Sequence, residues 1–339
     1  MRKSWAIRLM AAPLKSACQF ATEGMIMFKN SFFLVCAGLL SSCASTSAPL
    51  QAMTGTPANF PLVSAAGDMP GFFDCLREND AVIISGHRGG PVPGYPENAL
   101  ETFAHTVSEV PALLEVDVQK SADGVLVLMH DDTLARTTDG EGEVRSLTYE
   151  QLREFFLVDN DGTLTQFRIP TLMETLGWSE GRAMLALDRK AETTYEDLVD
   201  AVRTQDAFGR VVFATYSLED AALVYRLAPD AMIVTPIETL ADLDALRISG
   251  VDLSRILSWG GTEVPNPDFY AALAEEGVES AFAPLGWWTG SWDSRIRMLG
   301  DDTLYRRITQ GVQLVATDRV REVAAVLPGV ARAKACVKP

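Results

Sequence analysis

Two hydrophobic periods alternate along the chain. Short apolar runs with strand character occur at 81–86, 112–119, 125–130, 183–190, 210–216, 231–236, 256–259, 279–285 and 312–317. Between most of them, apolar residues recur at three- and four-residue spacing, and helices are expected to start near Asn98, Leu172, Tyr195, Leu218, Leu240, Pro267 and Leu304. Strand then helix, repeated over roughly 250 residues, predicts a parallel α/β fold, because parallel neighbours need a long crossover to reconnect. A TIM (β/α)8 barrel fits that length best. These runs are one too many for such a barrel, and the surplus is either 125–130 or the weak run 256–259. An open doubly wound sheet is the alternative, but no GxGxxG turn follows the first strand.

One junction breaks the alternation. Only Lys120-Ser121-Ala122-Asp123-Gly124 separates the second and third runs, too little for a crossover, and Asp-Gly favours a tight turn. The third run is expected to fold back as a hairpin arm centred near Ala122 and Asp123, with Glu115 roughly opposite His130.

Candidate chemistry gathers at the ends of these runs. Glu115 and Asp117 alternate with Leu114, Val116 and Val118, which puts two carboxylates on one face of a strand. Ionised carboxylates in a buried strand need positive charge beside them, and a divalent cation meets that need. His87 and His130, two of the three histidines in the chain, each close an apolar run. Asp188 and Lys190 share a face at the end of another. In a barrel, chemistry sits at the C-terminal ends of the strands, where all four fall. Carboxylate donors without cysteine or further histidine favour Mg²⁺ or Ca²⁺ over zinc. Arg88 carries a planar fork suited to phosphate oxygens.

The ordered set His87-Arg88-Gly89, Pro96-Glu97-Asn98, Glu115-Val116-Asp117, Asp123-Gly124 and His130-Asp131 resembles the glycerophosphodiester phosphodiesterase family. No single piece is specific; their order and spacing are. The resemblance implies a PLC-like phosphodiesterase TIM barrel that hydrolyses glycerophosphodiesters to sn-glycerol 3-phosphate and an alcohol. In that reading Glu115, Asp117 and Asp188 hold the metal, Arg88 and Lys190 meet the phosphate, and His87 and His130 are general acid and base. Glu97 and Asn98 stand around the metal. Three departures stand out. The family usually has Glu, one residue, then Lys where this chain has Asp188-Arg189-Lys190, a carboxylate one methylene shorter. Ala99 replaces a usual Thr. Trp288-Thr289 matches a late motif, but Gly290-Ser291 follows instead of Val-Asn. Ala316-Thr317-Asp318-Arg319 looks like the family's last strand. A lysophospholipase D or cyclising phosphodiesterase on the same barrel is one alternative. A non-catalytic binding lipoprotein is another, and the intact His87 and His130 argue against it.

Several of these residues have purely structural readings. Arg88 could serve a structural ion pair, and Asn98 is a favoured helix N-cap. His105, in Leu100-Glu-Thr-Phe-Ala-His105, reads as an ordinary helix-surface residue. Asp159-Asn160-Asp161-Gly162 lacks the later ligands of a calcium loop and reads as a polar turn. Trp287 and Trp288 either wall the pocket or simply pack.

Charge and the chain start refine the picture. The 339-residue chain has a net charge of −16, which argues against a nucleic-acid role. Ser31–Leu40 is an apolar stretch too short to span a bilayer, preceded by Lys29 and followed by Leu40-Ser41-Ser42-Cys43. This resembles a bacterial lipoprotein signal in which Cys43 is acylated, and Ala44 after it suggests an outer-membrane anchor facing the periplasm. The leader holds five basic residues and Glu23, so its removal leaves a chain near −20. The expected organisation is leader 1–42, acylated Cys43 and flexible tether 43–78, barrel 79–330 and tail 331–339. Of the five cysteines, Cys75 and Cys336 flank the barrel. An oxidising compartment permits a bridge between them, and two unrelated thiols are the alternative.

Overall fold

A computed structural model describes residues 68–286 and 290–337. The leader, Cys43, most of the expected tether, and Trp287 and Trp288 lie outside the described residues. Eleven strands are present among them: β1 (Ile83–Gly86), β2 (Ala112–Lys120), β3 (Leu126–Leu128), β4 (Phe156–Val158), β5 (Leu164–Arg168), β6 (Leu185–Arg189), β7 (Val211–Ala214), β8 (Met232–Pro236), β9 (Ile256–Trp259), β10 (Glu279–Phe282) and β11 (Leu314–Thr317). Eight of them, β1, β2 and β6 to β11, run parallel in chain order, and β1 pairs with both β2 and β11. The ring is closed, so the fold is a TIM barrel and the open doubly wound sheet is excluded. Helices at Leu172–Ser179, Tyr195–Thr204, Leu218–Leu227, Leu240–Ile248 and Pro267–Glu275 supply the crossovers, starting where the sequence periods change.

The weak run 256–259 is the barrel strand β9, and the surplus is β3, antiparallel to β2. The hairpin register differs by one residue from expectation. Val118 pairs with Leu128, and the Met129 amide donates to the Asp117 carbonyl at 3.0 Å. The turn is centred on Asp123, half a residue later than expected, and the pairing ends with Met129 opposite Asp117, short of Glu115. His130 stands beyond the strand end. The β4–β5 hairpin was not expected: β5 is short, polar and largely exposed, and gives little periodic signal. Asp159 to Gly162 forms its turn, with Asp159 accepting from the amides of Asp161 and Thr163.

Strand alternation sorts the core into two parts. Leu114, Val116, Val118, Leu185, Leu187, Phe213 and Ile233 pack outward against the helices. Leu113, Met184, Val212, Met232 and Leu257 belong to a separate inner cluster, completed by Met69, Phe72, Phe73 and Leu76. Those four lie on the helix Met69–Glu78, at the i, i+3, i+4, i+7 spacing of an apolar stripe. This corrects the expected tether, whose last ten residues are a helix packed on the barrel, capped by Asp68. The expected tail is corrected likewise, because Ala333 and Cys336 join the same cluster. Cys75 and Cys336 are disulfide-linked, with Cα atoms 5.5 Å apart across 261 residues of sequence. Arg77 adds an ion pair to the buried Glu279.

Candidate active site

At the C-terminal ends of β1, β2 and β6 the side chains change from aliphatic to ionic. Asp117 and Asp188 are register partners on adjacent parallel strands, and Glu115 sits two residues back on the same face of β2. Carboxylate oxygens of Glu115, Asp117 and Asp188 lie within 4.8 Å of one another. Burial, then repulsion from Asp117, pushes the Glu115 carboxyl up to about 8. Burial would also raise Asp117, but Lys190, His130 and Arg88 outweigh it and hold Asp117 below the ordinary carboxylate value. Lys190 Nζ lies 2.8 Å from Asp117 Oδ1 and 2.6 Å from Asp188 Oδ2. The second oxygen of Asp188 accepts from the Tyr216 hydroxyl.

The turn after β1 is shaped around this cluster. Arg88 adopts φ 52°, a left-handed conformation that costs energy for a residue with a Cβ. It is held there at both ends: its amide donates to Glu115 Oε2 at 2.7 Å, and its carbonyl accepts from the Asn98 amide at 3.0 Å. The next residue must be glycine, since a Cβ on Gly89 would meet the Phe103 ring at 2.2 Å. Asn98 is also left-handed and does not cap the following helix, whose N-cap is Ala99. Its side chain instead clasps Asp117, donating to Oδ2 at 2.7 Å and accepting from the Asp117 amide at 3.1 Å.

Each imidazole has a carboxylate on one nitrogen. His87 Nδ1 lies 2.7 Å from Asp318 Oδ1, and His130 Nδ1 lies 2.7 Å from Asp131 Oδ1. Burial alone would lower the His87 pKa; the Asp318 bond and the Glu115 charge reverse this and raise it above the ordinary value. Asp318 is held low in turn, its burial outweighed by His87 and by the Gly286 amide at 2.9 Å. On the other side, Arg136 donates to Asp131 Oδ2 at 2.6 Å and to both oxygens of Glu97 at 2.8 Å. Glu97 also takes Arg88 Nη1 at 3.0 Å. A continuous ionic chain therefore runs Arg88, Glu97, Arg136, Asp131, His130.

The structure thus gathers His87, Arg88, Glu97, Asn98, Glu115, Asp117, His130, Asp188 and Lys190 at one end of the barrel. Arg88 and Lys190, expected on a phosphate, are engaged with carboxylates. Sequence reading did not single out Asp318, Asp131, Arg136 or Tyr216 for a role. Asp318 and Tyr216 follow barrel strands and Asp131 follows His130, so position at a strand end was the available signal. Arg136 lies in a loop and carried none. His105 stacks on Tyr95 with ring centroids 4.0 Å apart.

Comparison with known proteins gives a consistent picture. Residues 87–246 match the glycerophosphoryl diester phosphodiesterase family. A crystal structure of a glycerophosphoryl diester phosphodiesterase from Parabacteroides distasonis is 32% identical, with TM-score 0.64, and the match covers 75% of this chain and 90% of that one. An Oleispira antarctica phosphodiesterase, solved in complex with the product sn-glycerol-3-phosphate, shares the fold at TM-score 0.54 and 18% identity over 74% of this chain and 98% of its own. Glycerophosphodiester phosphodiesterase 1 of Rattus norvegicus is 39% identical over 104 residues, which is 30% of this chain and 31% of that protein. The chain therefore spans about a third of the length of that curated relative.

Proposed function

This chain belongs to the glycerophosphoryl diester phosphodiesterase family, and from that premise we propose that it hydrolyses glycerophosphodiesters to sn-glycerol 3-phosphate and an alcohol. The observation that carries the proposal is the pair of carboxylate-anchored imidazoles beside three carboxylates at the mouth of one barrel.

The donor set fits a hard divalent cation. Three carboxylates converge, and the buried Asp117 Oδ1 has the Lys190 ammonium beside it at 2.8 Å, one positive charge among three acids. Glu115, Asp117 and Asp188 would hold Mg²⁺ or Ca²⁺, which would supply positive charge to the phosphoryl oxygens. The chain's own groups do the rest. Asn98 and Tyr216 fix the orientation of Asp117 and Asp188. Lys190 and Arg88 add positive charge where negative charge grows on the phosphate. Asp318 and Asp131 each occupy an Nδ1, which leaves Nε2 of His87 and of His130 to carry the proton. One imidazole removes the proton of the attacking hydroxyl, and the other gives one to the departing alkoxide.

Activity is tested by incubating the protein with glycerophosphocholine and glycerophosphoethanolamine, with Mg²⁺, with Ca²⁺ and with chelator. Metal-dependent release of sn-glycerol 3-phosphate is expected, and no hydrolysis of either ester under any condition refutes the proposal. Accumulation of a cyclic phosphate identifies attack by the glycerol 2-hydroxyl rather than by water.

The proposed setting is an exported protein, acylated at Cys43 and held at the outer membrane facing the periplasm. The Leu40-Ser41-Ser42-Cys43 sequence supports this, and the Cys75–Cys336 pair suits an oxidising compartment. Cys43→Ser should move the protein from the membrane to the soluble fraction; unchanged fractionation rejects the anchor.

A further inference from the structure

Behind the His87 imidazole and its Asp318 partner lies a carboxylate that the mechanism does not use. Asp293, in the first turn of the helix Trp292–Leu299, is 1% exposed. Its Oδ1 accepts from the Tyr305 hydroxyl at 2.6 Å. Its Oδ2 accepts from the Thr317 hydroxyl and from the Asp318 amide, each at 2.8 Å. All three donors are neutral, and burial pushes the Asp293 carboxyl up. For stability alone a carboxylate is a poor choice at such a place. Taking its charge out of water is costly, and a buried apolar side chain of similar volume serves a fold as well or better. What a carboxylate supplies is geometry, because its two oxygens hold donors from several segments at once.

The segments it holds are those that aim Asp318. Strand β11 ends at Thr317, and Asp318 is the next residue. The Asp318 carboxylate is fixed at two points, Oδ1 by His87 Nδ1 at 2.7 Å and Oδ2 by the Gly286 amide at 2.9 Å. Asp293 fixes the backbone beneath it. It takes the Asp318 amide directly. It also takes the Thr317 hydroxyl, which in turn accepts from the Arg319 amide at 3.0 Å. The backbone on both sides of Asp318 is therefore tied to one side chain. The same helical turn holds the loop that carries Gly286. The Asp293 amide donates to the Pro284 carbonyl at 2.9 Å, and the Ser294 hydroxyl donates to the Gly286 carbonyl at 3.1 Å. Without the Asp293 side chain, the Asp318 amide loses its acceptor and the turn is free to relax.

We propose that Asp293 is a positioning residue: it fixes the backbone of Asp318 and, through the Asp318 carboxylate, the orientation of the His87 imidazole. The inference rests on the diesterase reading and deepens it. The His87 side of the site then has a buried support, where the His130 side has the more exposed Arg136.

The test reads the His87 ring and the reaction rate separately. The chain has three histidines, so nitrogen-labelled imidazoles give three ring systems to follow by NMR. In the wild-type protein the Nδ1 proton of His87, held by Asp318, should resonate far downfield. In Asp293→Ala that resonance should move upfield or vanish by exchange with water, while those of His105 stay in place. The kcat for glycerophosphocholine should fall by about 10- to 10²-fold with KM within about twofold. Asp293→Asn keeps an oxygen for the Thr317 hydroxyl and the Asp318 amide, and an NH₂ for the Tyr305 oxygen, so it should restore kcat to within about threefold of wild type. With Asp318→Asn already present, Asp293→Ala should lower kcat by less than about twofold more, since the two act on His87 in series. An Asp293→Ala protein that melts lower but keeps the His87 resonance and kcat overturns the proposal, and so do losses that multiply with Asp318→Asn. Should Asp293→Ala not fold, Thr317→Val removes one of the two donors to the same oxygen, and an unmoved His87 resonance in that variant also overturns it. A wild-type protein that hydrolyses no ester removes the diesterase reading, whereas the His87 resonance still decides what Asp293 does.

Discussion

Replacing Arg136 by methionine probes the link between the two sides of the site. Its guanidinium bridges Glu97 and Asp131 through four hydrogen bonds of 2.6–2.9 Å. Methionine keeps the aliphatic stem and removes every donor. Glu97 is 2% exposed, but it keeps Arg88, so no buried charge is orphaned. The stability loss should therefore fall below the 3–5 kcal/mol of a broken buried pair, and the one-third exposure of Arg136 lowers it further, to about 1–2 kcal/mol. Catalysis should suffer more. Asp131 then has only His130, and an imidazole displaced by about 1 Å costs up to 10²-fold in rate. The expected outcome is a kcat lower by about 10- to 10²-fold with KM little changed. Arg136→Lys should recover only part of it, since an ammonium cannot fork to two carboxylates. Steady-state kinetics on glycerophosphocholine, with thermal unfolding beside it, provides the assay. A kcat within twofold of wild type would show that His130 needs no support from this chain of charges.

Other outcomes follow from the same geometry. Denatured, unreduced mature protein should show no titratable thiol, and Cys75→Ser with Cys336→Ser should lower Tm by about 5–10 °C, because opening a 261-residue loop releases roughly 3–6 kcal/mol of unfolded-chain entropy; two free thiols contradict the bridge. The raised His87 pKa means its pairing with Asp318 stabilises the fold fully below the ordinary histidine pKa and is lost as pH rises through the higher folded value, while the lowered Asp318 pKa means its share is lost only as pH falls through that lower value. Asp318→Asn should thus destabilise clearly near pH 5.5 and much less near pH 9; equal losses at both would rule out the ion pair. Titration calorimetry should find Mg²⁺ or Ca²⁺ bound, and Asp188→Asn should weaken it by at least tenfold; unchanged affinity removes Asp188 from the ligand set.

The barrel was legible because alternation and helix starts are written in local hydrophobic periods. So was the face shared by Glu115 and Asp117, since it depends only on the two-residue repeat of a strand. The hairpin slipped by one residue because tight-turn signals locate Asp123-Gly124 without fixing which residue sits at the centre. The helix Met69–Glu78 was missed although Met69, Phe72, Phe73 and Leu76 have helical spacing; the Ser- and Pro-rich stretch before it drew the boundary too far. Arg136, Asp131 and Asp318 were not singled out for a different reason. Their roles come from contacts 39 and 231 residues apart and from a neighbouring side chain's rotamer, none of which leaves a periodic trace.

The central claim is that His87 and His130 work as one acid–base pair on a phosphodiester. The direct test is kcat for glycerophosphocholine in His87→Ala, His130→Ala and the double variant, each checked for a folded barrel. Each single change should lower kcat by about 10² to 10⁴-fold, and the double variant should lose little more than the worse single one, because groups acting as a unit are non-additive. A single variant that keeps near wild-type kcat, or losses that multiply cleanly in the double, would contradict the account.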